Sequence, residues 1–188
     1  MAPIKRATPT PDDHNSSSPR KTVWLTGGSG FIGRHLLARL AHRSDLRVVA
    51  PNRAQLDLTD DAAVQSFLAT VRPDVVVHLA AVTGGSAAMR REPMRFFAEN
   101  LSAATPLLRA VEQGKVPRVL VAGSAGAYPR LAALGEAPRG LLPADVWRGP
   151  PAAGGYGLAR RTISQLLLDG AAAAGTAASV LVMPTVYG

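Results

Sequence analysis

The chain has 188 residues, 47% of them hydrophobic, and 21 Lys and Arg against 13 Asp and Glu, for a formal net charge of +8. That length can enclose one full core, and the lack of any cysteine excludes a disulfide framework and a thiolate metal site. The basic balance does not by itself point to nucleic acid, because the arginines are scattered from Arg34 to Arg160 and few aromatic residues are available to stack on bases. No apolar run reaches the roughly 18 residues of a membrane span, and no apolar stretch of signal-peptide type lies between Met1 and Arg20. A cytoplasmic protein without membrane or nucleic-acid partners is expected.

Residues 1–20 are rich in Pro, Ser, Thr and Asp, and too poor in apolar side chains to offset the entropy of ordering, so a disordered tail is expected there. From Lys21 to about Ala127, strand and helix patterns alternate. Val23–Thr26 reads as a first strand, Phe31 to about His42 as a helix, and Leu46–Ala50 as a second strand. A helix follows from the N-cap Asp60 to Val71, with Val64, Phe67, Leu68 and Val71 on one face. Val75–Leu79 is a third strand, apolar enough to be covered on both faces. Phe96 to Gln113 reads as a long helix stopped by Gly114, and Arg118–Ala122 as a fourth strand. A loop-rich stretch, a helix from about Tyr156 to Ala174 and a strand Ser179–Met183 complete the pattern. This order implies a parallel, doubly wound α/β sheet.

Chemistry concentrates where the first strand meets its helix, in Thr26-Gly27-Gly28-Ser29-Gly30-Phe31-Ile32-Gly33. Three spaced glycines between a strand and a helix form a cradle for a pyrophosphate. Gly27 permits the tight turn, Gly30 the approach of the phosphates, and Gly33 close packing of the new helix, which Phe31 and Ile32 begin. A glycine-rich hairpin turn is the competing reading. After the second strand, Ala50-Pro51-Asn52-Arg53 lacks the Asp or Glu that holds a ribose 2′-hydroxyl in NAD sites, and Arg53 is suited to a 2′-phosphate. That favours NADP over NAD, unless Arg53 is an ordinary surface arginine. The small Ala80 and Ala81 either admit a cofactor beside the third strand or simply pack the core, whereas His78 reads as a buried strand residue rather than a base.

Taken together, the glycine run, His78-Leu79-Ala80-Ala81, Gly123-Ser124 with Tyr128, and Tyr156 resemble the extended short-chain dehydrogenase/reductase family, over Lys21 to Gly188. Within it, Ala80-Ala81-Val82-Thr83-Gly84-Gly85, Tyr128-Pro129-Arg130-Leu131-Ala132 and Met183-Pro184-Thr185-Val186-Tyr187-Gly188 are most similar to the GDP-L-fucose synthase branch of epimerase/reductases. The resemblance implies a Rossmann-like NAD(P)-binding domain over residues 21–188, with the C-terminal substrate domain truncated. It also implies a nucleotide-sugar substrate, GDP-linked by preference. Tyr156 becomes the acid/base on the sugar oxygen, and Ser124 hydrogen-bonds the same oxygen. Asp57-Leu58 resembles the pair that contacts adenine, although Asp57 also reads as a loop residue, and Pro184 joins the cofactor contacts. Another nucleotide-sugar epimerase, dehydratase or 4-ketoreductase, and a non-catalytic dinucleotide-binding fragment, are the alternatives.

Two positions depart from the family pattern. The lysine four residues after the tyrosine is Arg160 here; its charge can favour a phenolate, but it cannot release a proton. Arg161, about 100° further round the helix, cannot replace that lysine. The family's epimerising cysteine, two residues after the serine, is Gly126, and its histidine would fall beyond Gly188, so epimerisation is not expected and redox turnover is expected to be impaired. Asn100 matches an asparagine of the family's long helix, or faces solvent. Leu101, Leu107, Leu108, Val111, Ile163, Leu166 and Leu167 fit either a two-helix homodimer interface or the core.

Overall fold

A computed structural model describes residues 19–130, 140–184 and Val186. Nearly all of the expected N-terminal tail, Leu131-Ala132, Thr185 and Tyr187-Gly188 lie outside the described residues. Five parallel strands are described: β1 (Lys21–Thr26), β2 (Leu46–Val49), β3 (Val75–His78), β4 (Arg118–Ser124) and β5 (Ala177–Met183), in the order β2-β1-β3-β4-β5. The helices are α1 (Phe31–Leu40), α2 (Asp61–Val71), α3 (Ser86–Arg91), α4 (Pro93–Glu112) and α5 (Gly154–Ala174), with 3₁₀ turns at Ala125–Ala127 and Pro143–Trp147. Sheet order reverses between β1 and β3, which pair from Val23↔Val75 to Thr26↔His78. Ligands of doubly wound sheets bind at such a crevice, beyond the carboxyl ends of the strands.

Local chemistry explains most element boundaries. The Asp60 carboxylate accepts from the Ala63 N–H at 3.0 Å and caps α2, and Arg72 in the left-handed region ends that helix just before Pro73. Pro93 occupies the first turn of α4, where its missing N–H costs nothing, and Gly175 at φ +67° ends α5. Both long helices start earlier than their apolar spacing predicts, and β4 runs two residues longer, to Ser124. α3 and the 3₁₀ turns carry too few apolar residues to announce themselves in the sequence.

α2, α4 and α5 cover one sheet face through a cluster of Trp24, Val76, Val119 and Val121 with Val64, Leu68, Leu107, Val111, Ile163 and Leu167. The Trp24 and Phe67 rings meet at 5.0 Å between centroids. Leu107, Val111, Ile163 and Leu167 are therefore core residues, Leu101 and Leu108 pack against that core, and Leu166 is half exposed. Contrary to the sequence expectation, β3 is not fully covered on both faces: Val76 and His78 are buried while Val75 and Val77 are only partly so. Among the described residues, no helix is long and apolar enough to cross a membrane.

Candidate functional site

The glycine loop is held against the end of β3. Gly27 has φ +73°, and a Cβ there would sit 2.7 Å from the Ala80 nitrogen and 2.8 Å from the Leu79 carbonyl carbon. A Cβ at Gly33 would fall inside contact distance of the Gly27 oxygen, so α1 packs directly on the loop that precedes it. The Gly30 N–H closes the turn on the Gly27 oxygen at 3.0 Å, and Phe31 and Ile32 begin the helix. No side chain caps α1 and no acidic residue lies in its first turn, which leaves its first N–H groups and positive dipole end available to an anion.

Directly behind the loop, Thr26 Oγ1 accepts from the Ala80 N–H at 3.3 Å and lies 2.9 Å from His78 Nδ1. The hydroxyl and the imidazole share one hydrogen bond, whose direction follows the His78 tautomer. His78 is 1% exposed, and its pKa falls to about 3, first through burial and then through the nearby Arg160 charge. It is a neutral structural residue at ordinary pH and too weak a base to abstract a proton.

A cleft of about 770 Å³ opens over this junction. Its floor is Gly27, Gly28, Ser29, Ala80 and Ala81, one wall is Arg53, Asp57 and Leu58, and the other is the α4 stripe of Arg95, Glu99 and Ser102. The Arg53 side chain is 83% exposed at the rim, with Nε 4.0 Å from Asp57 Oδ2. Asp57 is committed to an Asx turn: Oδ1 accepts from the Thr59 N–H at 2.9 Å and its hydroxyl at 2.8 Å, which hold the carboxyl below its ordinary pKa. The cleft suits an NAD(P)-type cofactor, since the glycine loop Gly27–Ser29 and the rim guanidinium of Arg53 line it together, with the uncapped end of α1 behind the loop. Gly30, Phe31, Ile32 and Gly33 support the loop without lining the cleft.

A second group forms at the end of β4. Ser124 Oγ accepts from the Gly126 N–H at 3.1 Å, which leaves its own proton free to donate. The start of α5 is wedged in backbone to backbone, because a Cβ at Gly157 would collide with the Gly126 oxygen and one at Gly155 with the Pro93 oxygen. That packing sets the start of α5 against the turn following Ser124, with half-buried Tyr156 adjacent to Gly157 in sequence. Arg160, one helical turn on, is 2% exposed, and its Nη1 has no hydrogen-bond partner. Burial lowers its pKa, and the electrostatic influence of Tyr156 opposes that shift. A Cβ at Gly126 would stand 2.7 Å from the Ala153 Cβ, so the turn is closed to a side chain there unless Ala153 shifts.

These groups are neighbours but do not share one cavity. Ser124 lines a separate cavity of about 550 Å³, and exposed Pro184 lines neither. Asn100, left open between site and solvent, is 2% exposed. Its Oδ1 accepts from the Val82 N–H at 3.0 Å, and its Nδ2 donates to the Val82 and Phe96 oxygens at 2.8 and 2.7 Å, fixing the chain just beyond Ala81. The polar stripe of α4, with Arg95, Glu99 and Ser102 at i, i+4, i+7, carries no local signal that separates a cleft wall from an ordinary solvated helix face.

Comparison with known proteins accords with this geometry. The model of the NAD dependent epimerase/dehydratase family matches residues 23–188. A GDP-L-fucose synthase of Azorhizobium caulinodans is 36% identical over 130 residues, covering 69% of this chain and 40% of that protein. The chain thus spans well under half of that relative's length. Two solved Campylobacter jejuni structures share the fold at 23% identity. A GDP-D-glycero-L-gluco-heptose synthase, solved in the presence of NADPH, has a TM-score of 0.80 over 90% of this chain and 48% of that one. A GDP-mannoheptose C4 reductase with NADP bound has a TM-score of 0.79 over 89% and 52%.

Proposed function

Because the chain belongs to the NAD dependent epimerase/dehydratase family, we propose that it forms the NADP-binding half of a nucleotide-sugar reductase of the GDP-L-fucose synthase type. Proteins of that type convert GDP-4-keto-6-deoxymannose to GDP-L-fucose by epimerisation followed by reduction, and only the reduction of a 4-keto sugar nucleotide is proposed for this chain. The observation that carries the reading is the cleft, in which an uncapped glycine loop faces Ala80 while Arg53, and no free carboxylate, stands at the end of β2. Gly27–Ser29 would hold the pyrophosphate with the positive end of α1 behind them, Arg53 the 2′-phosphate, and Ala80 and Ala81 would leave room for the sugar and base. When bound, NADPH supplies the hydride. Ser124 donates a hydrogen bond to the sugar oxygen, and Tyr156 gives its proton to that oxygen as the hydride arrives. Epimerisation is not part of the proposal, because Gly126 offers no acid or base and Ala153 fills the space behind it.

One observation favours a second reading, a cofactor-binding module without turnover. Arg160 is buried with Nη1 unbonded, instead of presenting a mobile ammonium to the cofactor. Calorimetric titration with NADPH and NADH tests the cleft, and NADPH oxidation with a GDP-4-keto-6-deoxy sugar tests the chemistry. Micromolar binding that prefers NADPH, together with oxidation, supports the reductase. Binding alone supports the module, and binding of neither nucleotide refutes both.

A further inference from the structure

Arg161 follows Arg160 and points elsewhere. It is 9% exposed, with a guanidinium engaged on two carbonyls of distant segments. Nε and Nη2 donate to the Ala127 oxygen, and Nη1 and Nη2 donate to the Gly149 oxygen, both at 3.1 Å. The same group lies over the Trp147 ring, 5.4 Å from its centroid. Ala127 closes the 3₁₀ turn that starts immediately after Ser124, and Gly149 belongs to the loop leading into α5. That loop is also stitched to the turn by the Ala152 N–H on the Tyr128 oxygen at 2.7 Å and the Ala153 N–H on the Gly126 oxygen at 3.1 Å. One side chain of the helix that carries Tyr156 therefore grips both the segment that carries Ser124 and the approach to Tyr156.

We infer that Arg161 is a positioning residue that sets the spacing of Ser124 and Tyr156, the two groups that must meet one sugar oxygen. The inference rests on the reductase reading for its kinetic consequence, but not for the clasp itself. A planar fork is required, because two carbonyls are bridged at once; a lysine ammonium can serve one of them and keep the charge near Trp147. Misplacing reacting groups by about 1 Å costs on the order of 100-fold in rate.

The test compares Arg161→Met and Arg161→Lys with the parent chain. Readouts are NADPH affinity, kcat and KM for the GDP-4-keto-6-deoxy sugar, melting temperature, and hydrogen exchange at the Ala152 and Ala153 amides. In Arg161→Met, kcat should fall by about 100-fold, with NADPH affinity and KM unchanged within a factor of about two. Exchange at the two amides should quicken at least about tenfold while amides of β1 to β3 keep their protection. Arg161→Lys should recover part of kcat, and it carries the test alone if Arg161→Met does not fold. Unchanged kcat in a folded variant, or parallel loss of kcat, NADPH binding and melting temperature, overturns the inference. Should the parent chain bind NADPH without oxidising it, the reductase reading falls while the exchange data still decide: faster exchange confined to Ala152 and Ala153 upholds the clasp, and unchanged exchange refutes it.

Discussion

Replacing Arg160 by Met should make the protein more stable. The guanidinium is 2% exposed, its Nη1 is unbonded, and burial depresses its pKa, all signs of a charge taken out of water without full compensation. Such burial costs several kcal/mol per ion, and well-packed apolar replacements of buried charges gain about 1–4 kcal/mol. Methionine is three heavy atoms shorter, so a residual void on the order of 50 Å³ would return about 1 kcal/mol at ~24 cal/mol per Å³. A net gain of about 2 kcal/mol follows, or roughly 4–8 °C in melting temperature for a domain of this size. The same substitution removes the second cause of the low His78 pKa and leaves burial, so the value should rise from about 3 while staying below 6.5. Because the folded value lies below the unfolded one, the parent chain keeps this contribution above pH 6.5. It loses about 1 kcal/mol per pH unit as the pH falls from 6.5 toward 3. In Arg160→Met that acid-side loss should end at a higher pH. Urea denaturation at pH 7.5 and at intervals down to pH 4 measures both effects. A variant less stable than the parent at pH 7.5 would show that the buried charge is compensated, and the argument from the unbonded Nη1 would fail.

Three further outcomes are expected. Gly33→Ala drives a Cβ into the Gly27 oxygen; it should cost about 1–3 kcal/mol of stability and abolish NADPH binding, read by urea denaturation and calorimetry. Arg53→Ala should weaken NADPH binding by about tenfold or more while leaving NADH binding unchanged, and an equal loss for both nucleotides would remove Arg53 from the 2′-phosphate. Asn100→Ala strands the Val82 N–H and oxygen; it should destabilise by about 2–4 kcal/mol, and a melting temperature within a degree of the parent would refute the clasp on Val82.

Residues differ in how far the sequence reveals their part. The N-cap of α2 at Asp60 is visible because capping needs only a short polar side chain beside an apolar period. Gly27 and Gly33 are visible because the turn they make is built within seven residues. Asp57 is ambiguous in sequence, and the structure shows it holding Thr59, since an Asx turn and an adenine contact draw on the same side chain. Asn100 has no local signal to separate burial from exposure; its partner Val82 lies 18 residues away.

The strand–glycine–helix unit, the alternating α/β order and the substitution of Arg for Lys at position 160 were determined by the sequence alone. Each depends on backbone freedom, side-chain period or identity within a few neighbours. Tertiary structure decided what faces those residues. Thr26 meets His78 across 52 residues, Arg161 reaches Ala127 across 34, and Arg160 is left in the interior without a partner for Nη1. Burial and pairing are properties of segments brought together by folding, and no local pattern encodes which carbonyl, ring or charge will stand opposite a given side chain.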